Sequence, residues 1–168
     1  MKVVKDFLLT DEIIFDSKPD AVPYNYRISY KVSQICLIIS MGCNAKSGCS
    51  LVKLHILANS LKTEEDIRNL LDYLSNRKAY IIVRFDPAMN RAIKYAISDE
   101  LIFQLKNGTF KLTEKGKNLV QKINKDEILL SREKEYLKKI GTRLTNEKIE
   151  TLMSAWRYQN VESKSNSN

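Results

Sequence analysis

The side chains in this sequence that are best suited to chemistry are three cysteines and a single histidine. Cys43, Cys49 and His55 are evenly spaced, and thiolates and imidazoles are preferred zinc ligands. However, the spacing contains no Cys-x-x-Cys pair, and Cys36 falls inside an apolar stretch. An odd number of cysteines without a secretion signal also argues against a disulfide framework. We therefore expect buried or idle thiols, with no metal ion and no disulfide.

Other patterns that would carry a reaction are also missing. Lys115-Gly116-Lys117 lacks the upstream glycine of a phosphate-binding loop, and five glycines in total form no Gly-rich dinucleotide turn. His55 lies in a mostly apolar segment, which is typical of a core or boundary histidine. Pro19-Asp20 resembles the start of a nuclease motif, but no acid-x-lysine strand follows it. We expect a protein that is not an enzyme, without cofactor or small-molecule substrate. A metal-dependent nuclease is the catalytic alternative.

The clearest structural signals lie between Tyr80 and Lys122. Ile81–Phe85 is β-branched and aromatic, which predicts a short strand. Asp86-Pro87 predicts a helix start, because aspartate can cap free backbone N–H groups and proline fits the first helical position. Asn107-Gly108 predicts a tight hairpin with a type I′ turn, which needs a positive φ at both residues. Thr113 then predicts the cap of another helix.

Three amphipathic helices are predicted before this stretch. The first runs from Tyr26 to Met41, the second begins at Ser50, and the third is opened by a Thr63 cap. The apolar positions of the third helix are three and four residues apart: Ile67, Leu70, Leu71 and Leu74. Helices followed by a helix, a hairpin and a helix are typical of a winged-helix domain. The predicted fold is mainly α with a small β-hairpin, an α+β winged helix-turn-helix domain followed by C-terminal amphipathic helices.

This interpretation divides the chain into four regions. They are an N-terminal arm (1–25), the winged-helix domain (26–125), a C-terminal helical hairpin (126–158) and a disordered tail (159–168). The apolar triplets of the arm are interpreted as short strands or as an arm that packs on another subunit. The C-terminal helices are expected to pack on their own domain or on the helices of a partner. Because no apolar run could cross a bilayer and no signal peptide is present, we expect a cytoplasmic protein without membrane contact.

The net charge of +8 is concentrated in the second part of the chain. Residues 1–100 contain 14 basic and 12 acidic residues, and residues 101–168 contain 14 and 8. A basic half favours an anionic partner, such as double-stranded DNA or an acidic protein surface, and a solvated lysine-rich surface is the alternative. In a winged helix, the helix before the hairpin can enter a major groove. The predicted partner- or DNA-binding residues are Arg84, Asp86, Asn90, Arg91, Lys94, Lys106, Lys111 and Lys115. The alternative for Arg91 is an ion pair with Asp86 or Asp99.

Several of these residues also occur in motifs of a known family. The sequence resembles the small middle component of bacterial ABC-three-component conflict systems, which includes the C subunit of Lamassu-type anti-phage defence. The most distinctive motif is R-x-D-P-x-x-N-R-A, from Arg84 to Ala92. The other residues that carry the resemblance are Tyr26-Arg27, Leu112-Thr113-Glu114-Lys115-Gly116, Glu133-Lys134 and Trp156.

The resemblance implies a winged-helix accessory subunit that neither hydrolyses ATP nor cuts DNA. Such a subunit would assemble with an SMC-like ABC ATPase and with a separate effector, often a nuclease. Arg84, Asp86, Asn90 and Arg91 are the positions to which the resemblance assigns partner contact. A stand-alone winged-helix transcriptional regulator is the alternative.

Overall fold

The computed structural model describes the backbone of residues 27–165 and the side chains of residues 27–158. Within this range the chain is mainly helical with a small antiparallel sheet, which confirms the coarse prediction. The elements are α1 (Ile28–Gly42), α2 (Leu51–Ser60), α3 (Glu64–Leu74), α4 (Pro87–Ser98), β1 (Ile102–Gln104), β2 (Phe110–Leu112), α5 (Glu114–Lys125), α6 (Ser131–Ile140) and α7 (Asn146–Ser165). The predicted N-terminal arm lies outside the described residues, and α7 continues into the region predicted as a disordered tail.

Helix α1 is the centre of the fold. Its apolar side chains point in several directions, and Ile35, Cys36, Leu37 and Ile38 are all fully buried. The helix packs against α2, α4, α5 and α6. A helix that is apolar on most of its surface must be covered on most sides, which explains its central position. None of the helices in the described range is long and apolar enough to cross a membrane.

Four helices have a side-chain N-cap; the caps at Thr63, Asp86 and Thr113 were predicted as such, whereas Ser50 was predicted only as the start of its helix. In each case the side-chain oxygen accepts a hydrogen bond from a backbone N–H two or three residues further on, which satisfies a group that the helix leaves unpaired. The capping residues are Ser50 for α2, Thr63 for α3, Asp86 for α4 and Thr113 for α5. The helix starts were therefore predicted correctly from local sequence.

The β-hairpin is present, but its turn differs from the predicted type. Gln104 pairs with Phe110, and the loop between them closes through Leu105 N to Thr109 O (2.8 Å) and Gly108 N to Leu105 O (2.9 Å). Gly108 has a φ of 82°, whereas Asn107 does not have a positive φ. A type I′ turn needs both, so that prediction is wrong. The Asn107 side chain instead accepts from Thr109 N at 3.1 Å and supports a longer loop.

The predicted strand at Ile81–Phe85 is also wrong. These residues form no helix or strand, and no strand of the described chain pairs with them. One edge of β2 is occupied by β1 and the other meets Cys49 through an isolated bridge to Phe110. A strand needs a neighbour to satisfy its backbone groups, so β propensity alone did not decide the structure here.

The cysteines depart from the predicted pattern. Cys43 and Cys49 form a disulfide with a Cα–Cα distance of 5.6 Å, so the expectation of no disulfide is wrong. The turn between α1 and α2 brings them together, and the bridge to Phe110 fixes Cys49 in place. Cys36 is a free, buried thiol, as expected, and burial raises its pKa to about 12.

The two C-terminal helices pack on their own chain. Leu137 and Ile140 of α6 and Leu152 of α7 are fully buried. Lys134 donates from Nζ to the carbonyl oxygens of Ile123 (3.1 Å) and Asp126, which ties α6 to the end of α5. The contacts of α6 and α7 in the described residues are therefore with their own domain, which is one of the two arrangements that the sequence predicted.

Candidate binding cleft and outer face of α4

A cleft of about 430 Å³ opens where α1, α2 and α6 meet the segment that leads into α4. The segment contributes Arg84, Phe85 and Asp86, and α1 contributes Tyr30 and Lys31. His55 from α2, Lys62 just after α2 and Arg132 from α6 also line the cleft. A concave site with several convergent polar groups is the usual location of a binding site in a small helical domain.

An ion pair between Lys31 and Asp86 crosses one wall of the cleft. Lys31 Nζ lies 2.7 Å from Asp86 Oδ2, and the two side chains are 5% and 21% exposed. Asp86 Oδ1 also accepts the capping bond from Ala88 N at 2.9 Å. Burial raises the pKa of Asp86, but the hydrogen bonds from Lys31 and Ala88 and the charge of Lys31 outweigh it and lower the pKa. Both carboxylate oxygens are thus already used inside the protein.

His55 and Phe85 form a second wall. The His55 ring is almost completely buried, and its Nε2 atom lies 3.0 Å from Asn90 Oδ1, an arrangement that requires the proton on Nε2. Burial lowers the pKa of His55, and this effect exceeds the opposing effects of Asn90 and Asp86, so the ring is neutral near pH 7. Phe85 packs against it with a centroid distance of 4.7 Å and is nevertheless 53% exposed.

A polar network links α1 to α6 beside the cleft. The Tyr30 hydroxyl donates to Glu133 Oε1 at 2.8 Å, and Gln34 Nε2 donates to the Tyr30 oxygen at 3.3 Å. Gln34 and Glu133 are both buried. No sequence pattern predicts this network, since Tyr30 and Glu133 are 103 residues apart and only the packing of α6 on α1 brings them together.

The rim of the cleft carries positive charge. Lys62 and Arg84 form no ion pair with any residue in the described part of the chain, whereas Arg132 pairs with Glu64 at 3.5 Å. Because the Lys31–Asp86 pair is internally balanced and His55 is neutral, the rim cations set the charge of the cleft. The groups that stay available to a ligand are Lys62, Arg84 and the exposed ring of Phe85, which suit an acidic or aromatic partner better than they suit catalysis.

The structure separates the predicted contact residues into two groups. Arg84 and Asp86 line the cleft, and Asn90 is tied to it through His55. The others lie elsewhere: Arg91 and Lys94 are exposed on α4, and Lys106, Lys111 and Lys115 lie on the hairpin loop, β2 and α5. The predicted set therefore does not form one site.

The alternative predicted for Arg91, an ion pair with Asp86 or Asp99, is not present among the described residues. Asp86 pairs with Lys31 instead, and Arg91 forms no ion pair within residues 27–158. Its guanidinium group is exposed on the outer face of α4, next to Lys94. This face is available for contact with another molecule.

Neither a metal centre in the described residues nor a relative among known proteins guides the assignment of these sites. Within the described residues, no group of three histidine, cysteine or acidic side chains is placed to hold a metal ion. No family model, no curated protein and no solved structure matches this chain. The residues and their geometry are therefore the basis for assigning a function.

Proposed function

We propose that this protein is a non-catalytic, cytoplasmic accessory subunit of a bacterial SMC-like ABC ATPase complex for anti-phage defence. In this proposal it bridges the ATPase and a nuclease-type effector, and it contacts double-stranded DNA as a secondary partner. The proposal combines the resemblance of the Arg84–Ala92 motif with two structural observations, namely the order of the elements and the outer face of α4.

The order of the elements supports a winged-helix interpretation. In such a domain a short strand between the first two helices pairs with the hairpin that follows the recognition helix. Here Cys49, between α1 and α2, forms an isolated bridge with Phe110 of the hairpin, and the hairpin follows α4. In this interpretation α4 is the recognition helix and α3 is an additional helix inserted before it.

The outer face of α4 is the observation that carries the proposal. Met89, Ala92, Ile93 and Ala96 are buried, and α4 packs against α1. The residues that remain exposed combine cations with large apolar side chains: Arg91, Lys94, Tyr95 and Ile97. Tyr95 is 55% exposed. Aromatic and arginine side chains together are enriched at protein interfaces, so this composition favours a contact surface.

The test is assembly with the proposed partners. The chain is co-expressed with a coiled-coil ATPase and an effector encoded beside it, and the complex is quantified after purification. We expect Arg91→Glu to weaken assembly at least tenfold while its circular dichroism spectrum stays unchanged. Lys138→Glu, a charge reversal at an exposed position of α6, is the matched control and should assemble normally. Equal assembly of the two variants would contradict the proposal.

A stand-alone winged-helix transcriptional regulator is the second candidate, and the exposed cations of α4 favour it. Arginine can read guanine edges in the major groove. A regulator would prefer its operator over random DNA by about 1,000-fold or more. The accessory subunit should instead bind DNA weakly, with an affinity that falls steeply as salt increases. Cleavage of DNA by the isolated chain with Mg²⁺ would exclude both and favour a nuclease.

A further inference from the structure

The cleft between α1, α2 and α6 contains positive charge that the protein does not balance. Its described lining residues include four cations but only one acid, Asp86, which pairs with Lys31. Lys62 and Arg84 form no ion pair within the described residues. Lys62 lies within electrostatic range of both His55 and Asp86, which places its charge at the cleft. An anionic group in the cleft would therefore meet two cations that have no other ion-pair partner.

Phe85 supplies a flat apolar surface beside these cations. Its ring contacts His55 at a centroid distance of 4.7 Å and the edge of Trp156 at 6.4 Å, so two neighbours hold it in place. The side chain nevertheless remains 53% exposed and lines the cleft. Bases stack on exposed aromatic side chains of this kind, whatever their identity. An exposed ring next to unpaired cations favours a ligand that combines an aromatic ring with negative charge.

The backbone around Phe85 is already engaged inside the protein. Arg84 N donates to Asn59 Oδ1 at 3.4 Å, and the Ile81 carbonyl oxygen accepts from Trp156 Nε1 at 2.8 Å. A peptide that adds as a strand depends on free backbone groups, so this segment is poorly suited to one. The volume of the cleft, about 430 Å³, lies in the range of about 300–1,000 Å³ that is usual for small-molecule sites. Both observations favour a small molecule that is recognised by side chains.

We propose that this cleft binds a nucleoside phosphate, with the base on the exposed ring of Phe85 and the phosphate groups against Lys62 and Arg84. A guanidinium group matches phosphate oxygens through two parallel hydrogen bonds, and an ammonium group adds a point charge. No local motif marks this site, since α1, α2, α6 and the segment before α4 each supply only part of it, and so the sequence alone predicted no small-molecule ligand.

The same geometry predicts binding without turnover. Asp86 is the only carboxylate among the described lining residues, and both of its oxygens are used, by Lys31 and by the backbone N–H of Ala88. The cleft therefore offers no free carboxylate to hold a metal ion or to orient an attacking water. The nucleoside phosphate is expected to act as a bound ligand and not as a substrate.

Isothermal titration calorimetry of the full chain tests this inference with three probes: ATP, adenosine and inorganic triphosphate. Each of the last two lacks one half of the proposed contacts, so ATP should bind about tenfold or more tightly than either. Arg84→Ala and Phe85→Leu should each weaken ATP binding by about tenfold or more, with unchanged circular dichroism spectra. Arg68→Ala, at an exposed position of α3 outside the cleft, is the matched control and should bind ATP like the wild type.

Three results would contradict the proposal. If ATP binds no more tightly than inorganic triphosphate, the cleft is an anion site without a place for the base. If Arg84→Ala and Arg68→Ala weaken binding equally, the affinity follows net charge and not this cleft. If a 5′-phosphorylated single-stranded oligonucleotide binds at least about tenfold more tightly than ATP, the ligand is a nucleic acid end. The titration needs no partner protein, so its outcome is independent of the assembly experiment that tests the proposed accessory role.

Discussion

Breaking the Lys31–Asp86 pair is the most direct test of how the cleft is held together. We consider Lys31→Met, which keeps most of the apolar stem and removes the charge. Asp86 then retains only the capping bond from Ala88 N. Removing one partner of a fully buried ion pair costs about 3–5 kcal/mol. Because the Asp86 side chain is 21% exposed and water can compensate part of the loss, we expect Lys31→Met to lower the free energy of unfolding by about 2 kcal/mol.

The reciprocal variant, Asp86→Asn, should lower the free energy of unfolding by more than Lys31→Met does. Asp86→Asn leaves the ammonium group of Lys31 without its ion-pair partner in a side chain that is only 5% exposed, so we expect about 3 kcal/mol. In the double variant neither charge is left alone, and its destabilisation should be smaller than the sum of the two by about 2 kcal/mol. The assay is denaturant unfolding at pH 7, with the free energy of unfolding compared among the four proteins.

The pH dependence of the free energy of unfolding is the measurement that could refute this explanation of the Lys31–Asp86 pair. The pKa of Asp86 is lowered in the folded protein, so its contribution to stability is present above the unfolded pKa of about 3.9 and is lost as the pH falls through the lower folded value. The stability difference between wild type and Lys31→Met should therefore shrink below about pH 4. A difference that stays constant down to pH 2.5, or a coupling energy near zero, would refute this account of the pair.

Two further predictions concern the contact between α5 and Leu101 and the disulfide. A Cβ atom at Gly116 would clash with the Leu101 carbonyl oxygen, so Gly116→Ala should lower the free energy of unfolding by about 2 kcal/mol despite the better helix propensity of alanine. Lys117→Ala, the control in the same denaturant titration, should lower it by less than about 0.5 kcal/mol. The disulfide between Cys43 and Cys49 closes a short loop, and its reduction should lower the free energy of unfolding by about 2 kcal/mol. A variant with both cysteines changed to alanine should not respond to reductant, and an equal response in both proteins would contradict the prediction.

Local sequence signals predicted most helix starts and the hairpin. Capping depends on a side chain and a backbone N–H group two or three residues away, and so Ser50, Thr63, Asp86 and Thr113 could be identified without knowing the fold. Other features could not be predicted in this way. The strand expected at Ile81–Phe85 depends on a neighbour that the described chain does not supply.

The candidate cleft was predicted only in part. The sequence identified Arg84, Asp86 and Asn90 as candidates, but not the partners that decide what each of them does. Lys31 is 55 residues before Asp86, and His55 is 35 residues before Asn90. Neither pair follows a helical or strand period, so no local pattern could have found it.

The sequence by itself determined where most of the helices begin, that α1 had to be covered on several sides, and that the second part of the chain is basic. These properties depend on side chains a few residues apart or on composition. The tertiary structure alone decided that Cys43 bonds to Cys49, that Asp86 turns inward to Lys31, and that Arg91 remains exposed. The physical reason is that ion pairs, disulfides and strand pairing depend on distances in space, and these are set by how the helices pack on α1.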